Sequence, residues 1–278
     1  MLQKRFVNQQ GGLWSYDARR AELGVRADSP SNLLLQGHLY TFVNPDGSKD
    51  ISLEEDFSRL EGLADPLISR MVSSVTNGRL PTLTRGEREI WDDFFLQQWR
   101  RVPEVYDELV TPDAYRAAIE QAVNGFKALT SEEREKFLHP DKLSVGRSNL
   151  RVKNLQRYSP VLRDALSGRG LIFARIRNLK KSLVLASRPV VKVTSNEAKL
   201  LSDERVHVWL AISPSLAVSP GYRFERETII DLTDWQVRLM NLAFCEQSNQ
   251  IVGKSRELIS SLAPYVGSYL RKSAGGKV

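Results

Sequence analysis

Two groups of residues in this chain could do chemistry. The first lies in one stretch of helical spacing. Ile90, Trp91, Phe94, Phe95 and Val102 form an apolar stripe, Gln98 falls in its middle, and Arg101 and Glu87 lie within or beside it. A buried polar group left unsatisfied costs about 1–3 kcal/mol. Gln98 and Arg101 therefore either brace a polar network, with Glu87 occupied as a helix cap, or line a pocket. The second group lies between Lys142 and Lys192, where thirteen Lys or Arg face the single acid Asp164. The whole chain carries only +7, so the basicity is local and the remainder is net negative.

Arginine and lysine at this density suit phosphate backbones, with counterion release and an affinity that falls as salt rises. Arg147, Arg151, Lys153, Arg157, Arg175, Arg177, Lys180 and Lys181 are the candidate contacts. Tyr158 and Phe173 are the only aromatics in the stretch, so base stacking adds little. The other reading is that these charges pair with acids elsewhere, such as Glu54-Glu55-Asp56 or Asp92-Asp93. Ser167-Gly168-Arg169-Gly170 reads as an anion-holding backbone nest or as an ordinary helix end.

Several chemistries lack their residues. His38, His139 and His207 show no metal-ligand spacing, and Cys245 has no second cysteine to join it. No cofactor is expected: GxGxxG, GxxxxGK[ST] and GxSxG are all missing. Cys245 falls near Arg238 and Asn241 on a helical wheel, which would lower its pKa, although a passive helix cysteine is the plainer reading. With one cysteine, no apolar signal core and no run near the ~18 residues of a membrane span, the expectation is a soluble cytoplasmic protein without a membrane partner.

The elements that would position these residues follow from spacing and caps. The N-terminal part reads as strands and turns, with Leu13–Tyr16 after Gly-Gly and Leu39–Val43 before Asn44-Pro45-Asp46-Gly47. Capping boxes at Ser52/Glu55, Thr84/Glu87 and Thr130/Glu133 open helices, and residues 112–128 read as another. The helix from Thr84 is closed by Pro103. The basic stretch begins as a loop, continues as a short helix from Ser159-Pro160 to Gly168, and becomes strands at 171–177, 183–186, 190–194 and 206–212. Alternation puts Arg175 and Arg177 on one face and Ile172, Ala174 and Ile176 on the other. Residues 234–247 read as a helix apolar on two sides, hence buried, and a last helix follows Ser255. This order predicts an α+β fold: a mixed or antiparallel sheet from N-terminal and central strands, a helical middle section and C-terminal helices. One domain is expected over 1–270, with a helical insertion at about 53–167 and a disordered tail at 271–278.

The motifs, taken in order, resemble a bacterial family, domain of unknown function 4238, whose hallmark is an N-terminal His-Tyr-Val-Pro motif. Leu2–Phe6 with Gly12–Asp17 is similar to its opening strand pair, and His38–Phe42 to its next strand. Leu83-Thr84, Glu87, Phe94, Gln98 and Arg101-Val102-Pro103 are similar to its Gln-x-x-Arg-x-Pro helix, which holds the two polar residues already singled out. Leu183–Val191, Val208–Leu216 and Val237–Asn241 complete the likeness. The His-Tyr-Val-Pro segment is absent, and the family's Ser-Asp-Asn-Pro-Val reads Ser187-Arg188-Pro189-Val190, with Arg and no Asp. If the family's His and Asp are catalytic, this chain lacks both. The resemblance therefore supports the fold and weakens an enzyme.

Three functions remain. The leading one is binding of DNA, RNA or another polyanion through residues 142–192, in a setting of mobile elements or phage defence suggested by association alone. The second is a nuclease or transferase-type toxin with its site around Gln98, Arg101, Ser187 and His38. The third is an interaction subunit whose basic face docks on an acidic protein.

Overall fold

The helices form where local caps and apolar spacing agree. A computed structural model describes residues 1–33, 39–102, 106–107, 110–157, 160–166, 168–194, 206–223 and 226–268. Its helices are α1 (Ser52–Thr76), α2 (Arg85–Arg100), α3 (Pro112–Gly125), α4 (Ser131–Leu138), α5 (Pro140–Gln156), α6 (Pro160–Leu166), α7 (Asp234–Glu246) and α8 (Arg256–Leu262). The capping boxes at Thr84 and Thr130 are formed: Glu87 and Glu133 accept the backbone N–H of their threonines at 2.8 Å. A third, Thr233 with Gln236, opens α7. At α1 the cap lies further out. Ser52 is already helical and donates its N–H to the Asp50 carboxylate at 2.8 Å. His38, Pro103, Tyr158, Ser159, Ser167 and the tail 271–278, all named in the sequence expectations, lie outside the described residues.

The strands are β1 (Leu13–Asp17), β2 (Arg26–Asp28), β3 (Phe42–Val43), β4 (Lys49–Asp50), β5 (Arg169–Ile176), β6 (Leu185–Ala186), β7 (Val190–Thr194), β8 (Val206–Ser213), β9 (Leu216–Arg223), β10 (Thr228–Leu232) and β11 (Gln250–Gly253). They form an antiparallel sheet β2-β1-β11-β6, a mixed sheet β10-β5-β9-β8-β7 and the hairpin β3-β4. In the mixed sheet only β10 and β5 run parallel, pairing Asp231 with Arg175. The fold is α+β.

Two compact units emerge. The first comprises residues 1–35, 60–99 and 160–278; the second comprises 36–59 and 100–159. The first holds both larger sheets, α2, α6, α7, α8 and α1 from Leu60 onward. Its core runs from Phe6 and Met71 through Trp91, Phe94 and Phe95 to Phe173, Leu210 and Phe244. The second holds the hairpin, α3, α4 and α5.

Three amide side chains act as short strand partners. In the first unit, Asn241 accepts from the Val184 N–H at 3.0 Å and donates to the Ser182 carbonyl at 2.9 Å. Gln247 does the same for both backbone groups of Lys192 on the edge strand β7. In the second, Asn149 bonds both backbone groups of Val43 at 2.9 and 2.7 Å, seating the hairpin on α5. Each satisfies backbone groups that the sheets leave unpaired.

Several elements depart from the sequence reading. Strand Leu39–Val43 shortens to Phe42–Val43, and 183–186 shortens to Leu185–Ala186. The supposed loop at the start of the basic stretch is α5, capped by His139 with Pro140 in its first turn. Gly146 hides this helix in the sequence. Its missing side chain admits Tyr115 of α3: a Cβ there would stand 2.5 Å from the Tyr115 hydroxyl. Strand β9 is hidden by Pro220-Gly221, a dipeptide that ordinarily signals a turn. Pro220 sits where the β5–β9 register shifts, and Gly221 lets the two backbones approach, with Gly170 O 3.3 Å from an added Cβ. Finally, α7 buries only one of its two apolar sides.

Candidate nucleic-acid interface

The cations of the basic stretch fall into both units. In the second unit, Arg147 and Arg151 of α5 both bond Asp107 Oδ1, at 2.6 and 2.8 Å. Their guanidiniums stand 5.7 and 4.7 Å from the Tyr106 ring centroid. Arg147 also donates to the Val110 carbonyl at 2.7 Å, and the Tyr106 hydroxyl donates to the Arg147 carbonyl at 2.9 Å. This cluster fastens Tyr106, Asp107 and Val110 to α5. Lys153 lies 5.3 Å from the Phe42 ring of the hairpin, and Arg157, just past the end of α5, is exposed.

In the first unit, Arg175 is a brace. Its side chain is 13% exposed, bonds Asp231 on the neighbouring strand at 2.8 Å and donates to the Val75 carbonyl at 2.8 Å. Val75 lies in the last turn of α1, where Gly78, with φ +74°, turns the chain away. The guanidinium thus meets the negative end of a helix as well as a carboxylate. Arg177 bonds the other Asp231 oxygen at 2.7 Å. These two arginines hold the Asp231 carboxyl below the usual carboxylate range. Among the described residues the closest ion pairs of the stretch therefore run to Asp107 and Asp231, with longer ones to Asp93 and Asp234, rather than to Glu54-Glu55-Asp56. Of the other pair considered, Asp93 receives Arg163 at 3.8 Å.

Beyond Arg177 the chain makes a turn, 177–181, which is tied to the first turn of α7. Asn178 Nδ2 donates to both carboxylate oxygens of Asp234 at 3.0 and 3.1 Å, and Lys181 Nζ lies 3.8 Å from the same carboxylate. Next to Asp234 stands Trp235, 67% exposed, and on the turn stands Leu179, 92% exposed. Lys180 and Arg238 are exposed, and neither has an ion pair among the described residues. Leu239, one turn on from Trp235, is 42% exposed. The sequence reading placed Trp235 and Leu239 in the interior. In fact Val237, Met240 and Phe244 fill the core side of α7, while Trp235 and Leu239 on the other side stand exposed and Leu242 is half-buried. Basic and aromatic groups thereby meet on one surface, a juxtaposition that contiguity in the sequence does not give.

The α2 residues behave differently. Gln98 is buried at 2% exposure, as its place in the stripe requires, and belongs to the first unit. Arg101, half-buried, belongs to the second, where its carbonyl accepts from the Tyr40 hydroxyl at 2.7 Å. Glu87 is engaged as a cap and also receives Arg70 at 2.6 Å. Ser187 accepts the N–H groups of Asn249 and Gln250 at 3.2 and 3.4 Å, which fixes the β6–β11 corner. Cys245 is buried, and desolvation pushes its thiol up to about 12, so the activated reading gives way to a passive one.

Sequence periodicity missed Asp92 and Gln97, buried at 6% and 7% exposure on α2. Arg88 Nε donates to Asp92 Oδ1 at 2.9 Å and its terminal nitrogen to the Leu166 carbonyl at 3.3 Å. Burial raises the Asp92 carboxyl above its ordinary 3.8; Arg88 and Arg163 oppose the rise, and Asp93 adds to it. A carboxyl with a raised folded value holds its proton more tightly in the folded state. Its contribution is then most favourable below 3.8 and declines as pH rises until the folded carboxyl ionises. Asp92→Asn keeps the acceptor for Arg88 without the charge. Urea unfolding across pH should show the variant gaining on the parent above that value and converging with it below. A gap independent of pH would assign the cost elsewhere.

Among the described residues no group of His, Cys, Asp or Glu could hold a metal ion, and no helix is long and apolar enough to cross a membrane. The family model described as Protein of unknown function (DUF4238) matches residues 1–257. No curated protein and no solved structure matches the chain.

Proposed function

The chain belongs to that family of proteins of unknown function, and on this premise we propose that it binds nucleic acid through the surface formed by the 177–181 turn and the outer side of α7. One observation carries the reading: Lys180 and Arg238 stand exposed, without acidic partners among the described residues, beside Lys181 and around an uncovered tryptophan. Arg175 and Arg177 shape this surface by locking Asp231, rather than contacting the ligand first. Phosphates would find Lys180 and Arg238 available without breaking an existing bridge.

The test is binding of the nuclease-treated protein to DNA and RNA, single- and double-stranded, across a salt series. A triple variant Lys180→Glu, Lys181→Glu, Arg238→Glu is compared with the parent after its melting curve confirms folding. The expected result is affinity that falls with salt. The variant should bind at least about tenfold more weakly, with a salt slope shallower by about 2–3, at roughly 0.7–0.9 for each phosphate no longer neutralised. Unchanged affinity and slope would overturn the reading. So would absence of nucleic-acid binding together with capture of an acidic protein by the same face, the other occupant that this chemistry would suit.

A further inference from the structure

We infer that the ligand is single-stranded, with an unpaired base seated on the indole of Trp235; this rests on the function proposed above and names its substrate class. Of the five tryptophans, Trp91 and Trp209 are buried and Trp14 and Trp99 half-buried, while Trp235 is 67% exposed. With Leu179 and Leu239 also exposed beside it, Trp235 belongs to an apolar patch among polar groups, the kind of surface that marks an interaction site. Nothing on α7 hides it, because the helix is anchored from its opposite side by Val237, Met240, Phe244 and the doubly bonded Asn241.

The pattern around the indole selects the occupant. Apolar and cationic side chains interleave: Leu179 with Lys180 and Lys181 on the turn, Trp235 with Arg238 and Leu239 on the helix. A protein interface segregates an apolar centre from a polar rim. A nucleotide chain instead alternates charged phosphates with flat apolar bases, as this surface does. A duplex keeps the faces of its bases stacked inside and offers only backbone to an exposed tryptophan. A single strand presents them, and stacking on an aromatic side chain tolerates any sequence. The hydrogen bonds of Asn178 to Asp234 hold the turn against the start of the helix, so cations and indole are positioned together before a ligand arrives.

The experiment compares Trp235→Ala, Trp235→Phe and the parent for binding to an oligonucleotide and to the duplex of the same sequence at matched salt. The alanine variant should lose about 5- to 150-fold in single-strand affinity, the range of one base–aromatic stack. The phenylalanine variant should retain most of that affinity, and duplex binding should change by less than about twofold on the same grounds. Quenching of tryptophan emission by the oligonucleotide should vanish in Trp235→Phe. Equal loss for both strand forms, or no loss for either, overturns the inference while leaving salt-dependent nucleic-acid binding intact. Binding to phosphatidylserine vesicles that requires Trp235, with oligonucleotides ignored, overturns it as well. If the parent binds no nucleic acid at low salt, the proposed function fails first.

Discussion

Replacing Trp91 with alanine lowers the stability of the chain by about 3–5 kcal/mol, the usual cost of emptying a large aromatic site. Trp91 is 1% exposed, and its ring centroid lies 6.1 Å from those of both Phe94 and Phe95. All three are buried on α2 and belong to the core of the first unit, so the cavity opens inside a packed core that can fill it only by shifting its neighbours. Urea unfolding should show a lower midpoint, and Trp91→Phe, which leaves a smaller void, should show a lesser fall. A loss below about 1 kcal/mol on alanine, the range of a peripheral site, would mean that α2 does not anchor this core.

Replacing Asn241 with leucine costs about 2–6 kcal/mol without emptying any volume. The loss comes from two orphaned backbone groups: the Val184 N–H, now given to Oδ1 at 3.0 Å, and the Ser182 carbonyl, now met by Nδ2 at 2.9 Å. Each would lie buried and unsatisfied at about 1–3 kcal/mol. Asn241 is 3% exposed, so water cannot replace the bonds at low cost. The expected signature is a lower denaturant midpoint with an unchanged slope. A variant as stable as the parent would show that residues 182–184 rearrange to find other partners.

These two residues also mark the limit of what the sequence makes legible. The stripe on α2 is readable because Ile90, Trp91, Phe94 and Phe95 at helical spacing leave little choice of face, and Gln98, on the same side, is indeed buried. The caps at Thr84 and Thr130 are readable because their partners stand three residues away. Strand β9 is not, because Pro-Gly is a turn signal unless a shift in register absorbs it. Helix α5 is not, because Gly146 weakens a helix locally and is justified only by Tyr115, thirty-one residues earlier in the chain. The role of Asn241 is invisible, since its bonds reach back 57 and 59 residues.

The basic stretch shows the same division. Its composition pointed to phosphate, and that is a property of the residues alone. The fold then sorted the charges. Arg147 and Arg151 found Asp107 across 40 and 44 residues, and Arg175 found Asp231 across 56. Lys180 found no acid among the described residues, and Trp235 came to stand near it. By itself the sequence determined most of the helices, the caps at Thr84 and Thr130, the α+β class and the excess of cations, because these rest largely on neighbours within one or two turns. Only the tertiary structure decided which cations are neutralised and which side of α7 stays open. Those outcomes depend on contacts between elements distant along the chain, where desolvation and pairing compete.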